Sequence, residues 1–304
     1  MHKRVNRVST LLLVILLSAS PLANASSFKV IASFSVLGDL VKRIAGEDIS
    51  VSTVVPADAD VHNWELTPPN VLAIEEADIM FYNGFGLEPW LRHVKAMSDD
   101  SLTLTSVAEN ADFAPLPITT GQYKGATDPH MWMDPQGAAA YIEVIAHTLA
   151  EHYPDKADAF HARAEEAYLA LQTLDQTIEE RLDGVPNTNR SLFTSEGGFS
   201  YFARAYNLEY SSIWGLNHET QGNALAMATM SQRLAEKRVP ALFYESTVSC
   251  IHADSLARET GISLAGPLYV DSLSPQDGPA FNYPAMLRYN AELIHEALGG
   301  ARPE

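Results

Sequence analysis

The chain has 304 residues, with 20 Lys and Arg against 38 Asp and Glu, a formal net charge of -18 and a single cysteine. A protein this acidic repels the phosphate backbone, so we expect no nucleic-acid partner. One cysteine excludes an internal disulfide and a thiolate zinc cluster, so a bound metal would have to use His, Asp or Glu as ligands.

The first residues of the chain predict export. Residues 1–25 combine a basic start, an apolar run from Leu11 to Leu17 and a small-residue end at Ala23-Asn24-Ala25, which is the pattern of a signal peptide. The apolar run is shorter than the roughly 20 residues of a membrane-spanning helix. Because no cysteine stands at the predicted cleavage site after Ala25, we expect a periplasmic protein without a lipid anchor.

Strands and helices alternate in the first half of the chain that follows. Residues 28–34 are β-branched and aromatic and predict a strand, and apolar residues at helical spacing from Val36 to Ile44 predict a helix that ends at Gly46. Three more strands are predicted at residues 51–55, 78–82 and 101–107, with a helix that begins at Thr67-Pro68 and another over 87–97.

The pattern changes in the middle of the chain. Residues 137–183 lack strand signals and predict two helices that are separated at Tyr153-Pro154. The second helix, over 155–183, would be about 40 Å long at the α-helical rise. The alternation then resumes, with strands predicted at residues 192–195, 210–214, 241–246 and 262–268 and a loop at 217–224.

This order of elements predicts an α/β fold with two lobes. Each lobe would be a small parallel sheet flanked by helices, and one long rigid helix would join them. The predicted boundaries are a signal peptide over 1–25, an N-terminal lobe over 26–152, the linking helix over 153–184 and a C-terminal lobe over 185–304.

Three residues with metal-binding side chains directly follow predicted strands: His62, Glu196 and Asp271. A fourth, His130, lies in Asp128-Pro129-His130-Met131-Trp132-Met133-Asp134-Pro135, whose prolines exclude a helix interior or a central strand. Ligands of open α/β sheets bind at the carboxyl ends of the strands. We therefore expect these side chains to converge on one cleft.

Two imidazoles and two carboxylates suit a divalent cation. Two carboxylates cancel the charge of the ion, and imidazole with carboxylate fits Mn, Fe or Zn. Taken singly, each residue also has an ordinary structural interpretation, as a helix cap, the start of a turn or a solvated side chain. The remaining histidines of predicted helices are expected at the surface, and Cys250 is expected to be a packed residue; these histidines are His93, His147, His152, His161, His252 and His295.

A family resemblance is carried by four segments: residues 62–68 (HNWELTP), 128–135 (DPHMWMDP), 195–202 (SEGGFSYF) and 269–273 (YVDSL). In this order they resemble the signatures of the metal-specific solute-binding proteins of ABC transporters, the zinc, manganese and iron-binding cluster A-I type. The resemblance spans the chain after the signal peptide. It implies two lobes on a rigid helix, with one divalent metal ion held between them by His62, His130, Glu196 and Asp271.

The resemblance also bears on which metal is carried. Family members that import zinc commonly have a third His where this chain has Glu196, and many have a long His-rich loop before the second ligand. Here residues 119–127 are short and contain no His. A second carboxylate makes the site harder, which favours Mn²⁺ or Fe²⁺, with Zn²⁺ as the alternative.

The function implied is capture of the ion in the periplasm and delivery to an ABC permease in the inner membrane. We expect a monomer, no enzymatic activity, no catalytic residue and no resident cofactor. A periplasmic metallohydrolase is the less favoured alternative, since no His-Glu-x-x-His helix, Gly-x-Ser-x-Gly elbow or phosphate-binding glycine loop is present in the sequence. A surface adhesin would need an anchor, which the sequence does not predict.

Overall fold

A computed structural model describes residues 28–47, 49–216 and 223–300. The predicted signal peptide lies outside the described residues, as does most of the predicted loop at 217–224. None of the helices in the described ranges is long and apolar enough to cross a membrane.

The N-terminal lobe contains one four-stranded parallel sheet. Its strands have the order β2-β1-β3-β4 and pair in register from Lys29–Ser50 to Tyr82–Ser106. The elements of this lobe are β1 Lys29–Phe34, α1 Ser35–Ala45, β2 Ser50–Val55, α2 Pro68–Glu75, β3 Ile79–Tyr82, α3 Leu91–Met97, β4 Thr103–Ser106 and α4 Val107–Asn110.

Helix α2 begins where the sequence predicts. The Thr67 side chain accepts from the backbone N–H of Asn70, and the Asn70 side chain accepts from Thr67 N–H in return, so two free donors at the helix end are satisfied. Helix α3 is shorter than the predicted 87–97. Glu88 is buried there, and its carboxylate accepts from Ser33 Oγ and Asn83 N at 2.7 Å, which holds the preceding residues in a turn.

Two helices lie in the middle of the chain, α5 Pro135–His152 and α6 Ala157–Asp183. Helix α6 has 27 residues, so it is about 40 Å long, as predicted. Near one end Arg163 donates to the carbonyls of Ile44 and Ala45, which close α1 of the N-terminal lobe. Near the other end Arg181 donates to Glu292 on the last helix. The long helix is therefore attached to both lobes.

The C-terminal strands form two parallel pairs, β5-β6 and β7-β8. A small parallel sheet was the expectation for this lobe, and all the strand pairs are parallel. The β7-β8 pairing shifts register between Phe243 and Glu245, and a side chain, Ser195 Oγ, reaches the Phe243 carbonyl at 3.4 Å between the pairs. The elements are β5 Ser191–Thr194, α7 Ser200–Ala205, β6 Glu209–Ser212, α8 Ala224–Lys237, β7 Ala241–Glu245, α9 Ile251–Thr260, β8 Ser263–Leu268 and α10 Tyr283–Ala297.

Two side chains differ from their predicted environments. Cys250 is exposed at the start of α9, so the prediction of a packed residue is wrong. His295 is only 1% exposed, so its predicted surface position is wrong as well. The periodicity of a sequence predicts that a residue lies on a helix. Whether the residue is buried depends on which other segments of the same chain pack against that side of the helix.

Candidate metal site

The four predicted ligands come from four separate connections of the chain. His62 lies between β2 and α2, and His130 directly precedes the short 3-10 turn Met131–Met133. Glu196 follows β5 by two residues, and Asp271 follows β8 by three. Since parallel strands place their carboxyl ends at the same edge, these connections open towards the space between the lobes.

The structure brings all four side chains together. One donor atom from each of His62, His130, Glu196 and Asp271 can be chosen so that all four lie within 4.8 Å of one another. His62 Nε2 is 3.5 Å from Glu196 Oε1 and 3.4 Å from Asp271 Oδ2, and His130 Nε2 is 3.2 Å from Asp271 Oδ1. None of the four residues is more than 2% exposed.

His130 is oriented by Asp128. The Asp128 Oδ1 atom accepts from the backbone N–H of His130 at 3.0 Å and lies 2.7 Å from His130 Nδ1. An ionised carboxylate only accepts hydrogen bonds, so Nδ1 carries the proton in this pair. The other ring nitrogen, Nε2, therefore faces the cluster. After Nε2 loses its proton, it has the free lone pair that binds a metal.

The Asp271 segment is fixed to the N-terminal lobe by several hydrogen bonds. Asp58 N donates to the Leu273 carbonyl at 3.0 Å, and Leu273 N donates to Ser35 Oγ at 3.0 Å. Two more join Ala59 N to Ser272 Oγ and Trp132 Nε1 to the Val270 carbonyl. These contacts hold a side chain of the C-terminal lobe against the two histidines of the other lobe.

The backbone of Glu196 is held inside the C-terminal lobe. Its carbonyl accepts from Thr194 Oγ1 at 2.6 Å and from Tyr210 Oη at 2.8 Å, and its N–H donates to Glu245 Oε2 at 3.2 Å. Glu245 is fully buried. Neither Glu245 nor a role for Asp128 was predicted from the sequence, although the Asp-x-His spacing is a signal for Asp128.

The buried charges affect one another strongly. Burial by itself lowers the pKa of His130, but the carboxylates of Asp128 and Asp271 outweigh it and raise this pKa to about 10. Burial would raise the pKa of Asp271, yet the imidazoles of His62 and His130 hold it well below its usual range. Burial raises the pKa of Glu245 to about 8.

The donor set fits a divalent cation. Buried polar atoms normally have hydrogen-bond partners. Within the described part of the chain, His130 Nε2 and both carboxylate oxygens of Asp271 are buried without a hydrogen bond that meets the usual geometric criteria, although His130 Nε2 lies 3.2 Å from Asp271 Oδ1. Atoms that face a common point in this way are satisfied by a cation, and two imidazoles with two carboxylates suit Mn, Fe or Zn.

The chain is similar to known metal-binding proteins over nearly its whole length. The family model described as "Zinc-uptake complex component A periplasmic" matches residues 30–297. The iron-binding protein YfeA of Yersinia pestis is 34% identical over 92% of this chain and 89% of its own length. The manganese-binding lipoprotein MntA of Halalkalibacterium halodurans is 31% identical over 90% of each.

A solved structure supports the fold. The Mn-bound periplasmic metal binding protein from Candidatus Liberibacter asiaticus is 28% identical, with a TM-score of 0.82 that covers 90% of this chain and 100% of that chain. The likeness confirms the predicted α/β architecture of two lobes with a long connecting helix.

The comparisons correct one prediction. Several relatives are named lipoproteins, so the expectation of a protein without a lipid anchor is wrong. That expectation depended on the residue type at one predicted cleavage position, in a segment outside the described residues. The extracytoplasmic location itself is supported by the relatives, which are lipoproteins or periplasmic proteins.

Proposed function

Because this chain belongs to the zinc-uptake complex component A family, the substrate-binding proteins of metal ABC transporters, we propose that it captures Mn²⁺ or Fe²⁺ outside the cytoplasm for import. The members of this family bind metal ions and deliver them to a permease, and they are not enzymes. The metallohydrolase alternative therefore has no support from the relatives.

One observation carries the proposal: four buried side chains from both lobes direct their donor atoms at one point. His62 and His130 would bind the ion as neutral imidazoles, while Glu196 and Asp271 would supply the charge that balances it. Such a site holds a bare ion away from water, which is what capture from a dilute solution requires.

The carboxylate of Glu196 favours Mn²⁺ or Fe²⁺ as the cargo. Carboxylate oxygens are hard ligands that suit Mn²⁺, whereas added imidazole suits Zn²⁺. The names of two relatives, an iron-binding and a manganese-binding protein, agree with this choice. Zinc is the alternative within the same family, whose description refers to zinc uptake.

We propose further that the protein acts as a monomer and binds no nucleic acid, in keeping with its net charge of -18. The proposed organisation is a cleaved signal peptide over 1–25, lobes over 26–152 and 185–304, and the linking helix over 153–184. The cargo would enter between the lobes and be presented to the permease from there.

Element analysis tests the proposed function. Protein purified from the extracytoplasmic compartment of Mn-sufficient, Zn-limited cells is expected to contain one Mn or Fe ion per chain. The His130→Ala variant is expected to lose the ion, and the control His93→Ala, an exposed histidine outside the cluster, to keep it. Recovery of zinc alone from wild-type protein would contradict the choice of Mn or Fe.

Metal affinity is expected to fall as the solution becomes more acidic. The pKa of His130 in the metal-free protein is raised to about 10, so at neutral pH a proton occupies the imidazole that the metal must displace. Release of one proton on binding makes the Mn²⁺ affinity rise by about tenfold per pH unit below that pKa. Titration calorimetry in several buffers at pH values on either side of neutrality measures both the slope and the proton release. A flat profile, with circular dichroism showing an unchanged fold, would contradict His130 as a ligand.

A further inference from the structure

We propose that Glu245, which is not one of the four ligands, is a positioning residue that presents the Glu196 carboxylate to the metal. The inference rests on the proposed function. It concerns a single contact, the hydrogen bond of 3.2 Å from the backbone N–H of Glu196 to Glu245 Oε2.

Glu245 lies at the junction of the two C-terminal strand pairs. It is the last residue of β7, and β7 runs beside β5, where Ser195 Oγ donates to the Phe243 carbonyl at 3.4 Å. Glu245 therefore reaches the connection that carries Glu196 from a neighbouring strand of the same lobe. Its side chain is fully buried, so water does not compete for this hydrogen bond.

The peptide groups on both sides of Glu196 are fixed by different residues. The Glu196 carbonyl accepts from Thr194 Oγ1 and Tyr210 Oη, and the next N–H, of Gly197, donates to the Gly215 carbonyl at 2.7 Å. Gly197 is required for this approach, because a Cβ atom there would lie 2.5 Å from the Gly215 oxygen. The N–H of Glu196 donates to the side chain of Glu245.

This position matters because Glu196 reaches across the cleft. Its anchors belong to the C-terminal lobe, while its Oε1 atom lies 3.5 Å from Nε2 of His62 in the other lobe. A small rotation of the Glu196 backbone would move the carboxylate away from the point that the other ligands face. Outer partners that orient metal ligands typically contribute 10–100-fold to metal affinity.

Three variants separate the position of the acceptor oxygen from the chemistry of the carboxyl group. Glu245→Gln keeps a side-chain oxygen that accepts the Glu196 N–H, so its Mn²⁺ affinity is expected to stay within about threefold of wild type. Glu245→Leu removes the acceptor, and Glu245→Asp keeps a carboxyl group but is one methylene too short to reach. Both are expected to lose about 10–100-fold in Mn²⁺ affinity. Electron paramagnetic resonance of bound Mn²⁺ should show an altered ligand field in the Leu and Asp variants and a wild-type spectrum in the Gln variant.

Glu88 provides the matched control. It is another buried carboxylate that accepts backbone N–H groups, those of Asn83 and Gly84, but it lies in the other lobe and outside the cluster. Glu88→Gln and Glu88→Leu are expected to lower the stability of the fold, with the Mn²⁺ spectrum of the folded protein unchanged.

The outcomes distinguish this inference from the proposed function. A Glu245→Asp variant with wild-type affinity and spectrum would overturn the inference, as would a Gln variant that fails as badly as Asp. These two variants decide the matter even where Leu prevents folding. Glu196→Ala is measured beside them: if it binds Mn²⁺ like wild type, Glu196 is not a ligand and the proposed site is wrong.

Discussion

Replacing Asp271 with Asn is expected to abolish high-affinity metal binding, with a loss of Mn²⁺ affinity of more than about 100-fold, beyond the loss typical of outer partners. The two carboxylate oxygens of Asp271 face both imidazoles, at 3.4 Å from His62 Nε2 and 3.2 Å from His130 Nε2. The substitution preserves shape but removes half of the negative charge that would balance the ion. No other single substitution should weaken binding more.

The fold should survive this substitution. The hydrogen bonds that fix residues 270–273 to the N-terminal lobe use backbone groups, the side chains of Ser35 and Ser272, and the Trp132 indole, not the Asp271 carboxylate. Asp277, an exposed residue of the same segment, supplies the control Asp277→Asn.

Thermal unfolding with and without metal is the measurement. Mn²⁺ at 100 times its dissociation constant stabilises a binding protein by about 2.7 kcal/mol. Wild type and Asp277→Asn should show an increase in Tm that corresponds to this stabilisation, and Asp271→Asn should show little or no increase. A metal-dependent rise of wild-type size in Asp271→Asn would contradict the assignment of Asp271 as a ligand.

Replacing Glu196 with His is expected to change which metal the protein prefers. An imidazole in place of the carboxylate makes the site softer and leaves one negative charge against a divalent ion. We expect the ratio of Zn²⁺ to Mn²⁺ affinity to rise by about tenfold or more, mainly because Mn²⁺ binds more weakly.

The Glu196→Gln variant is the control, since it removes the charge without adding an imidazole. Competition titrations with Mn²⁺ and Zn²⁺ on all three proteins give the ratios. The Gln variant should have a lower affinity for both metals, whereas the His variant should lose affinity mainly for Mn²⁺. If wild type and Glu196→His have the same ratio, Glu196 does not determine the choice of metal.

The convergence of the four residues could be expected from local patterns, whereas their assignment as a ligand set came from the family resemblance. The prolines beside His130 exclude regular structure, and His62, Glu196 and Asp271 follow strands whose β-branched runs are clear in the sequence. Parallel strands then bring their carboxyl ends together, so local patterns were enough to predict that the four residues meet. Their role as metal ligands remains a prediction.

Contacts between distant segments could not be predicted in this way. Glu245 reads as the end of an ordinary strand, and only the packing of β7 beside β5 brings its side chain to Glu196. The burial of His295 and the exposure of Cys250 also depend on how distant segments of the chain pack, so neither could be predicted. Helix α3 starts late because Glu88 bonds to Ser33, a residue 55 positions away.

Asp271 lies in the C-terminal lobe of the sequence, but its side chain contacts the two histidines of the N-terminal lobe. Its segment is hydrogen-bonded to Ser35, Asp58 and Ala59, whereas the backbone of Glu196 is hydrogen-bonded to residues of its own lobe. His62, His130 and Asp271 are therefore all attached to the N-terminal lobe. Glu196 completes the set from the other side of the cleft, which is why its orientation and its residue type both matter.

A crystal structure of the protein loaded with Mn²⁺, with anomalous diffraction recorded at the manganese edge, tests the central claim most directly. We predict a single anomalous peak between the lobes, bonded to Nε2 of His62 and His130 and to carboxylate oxygens of Glu196 and Asp271. A fully loaded protein whose peak lies elsewhere, or whose ion lacks these ligands, would contradict it.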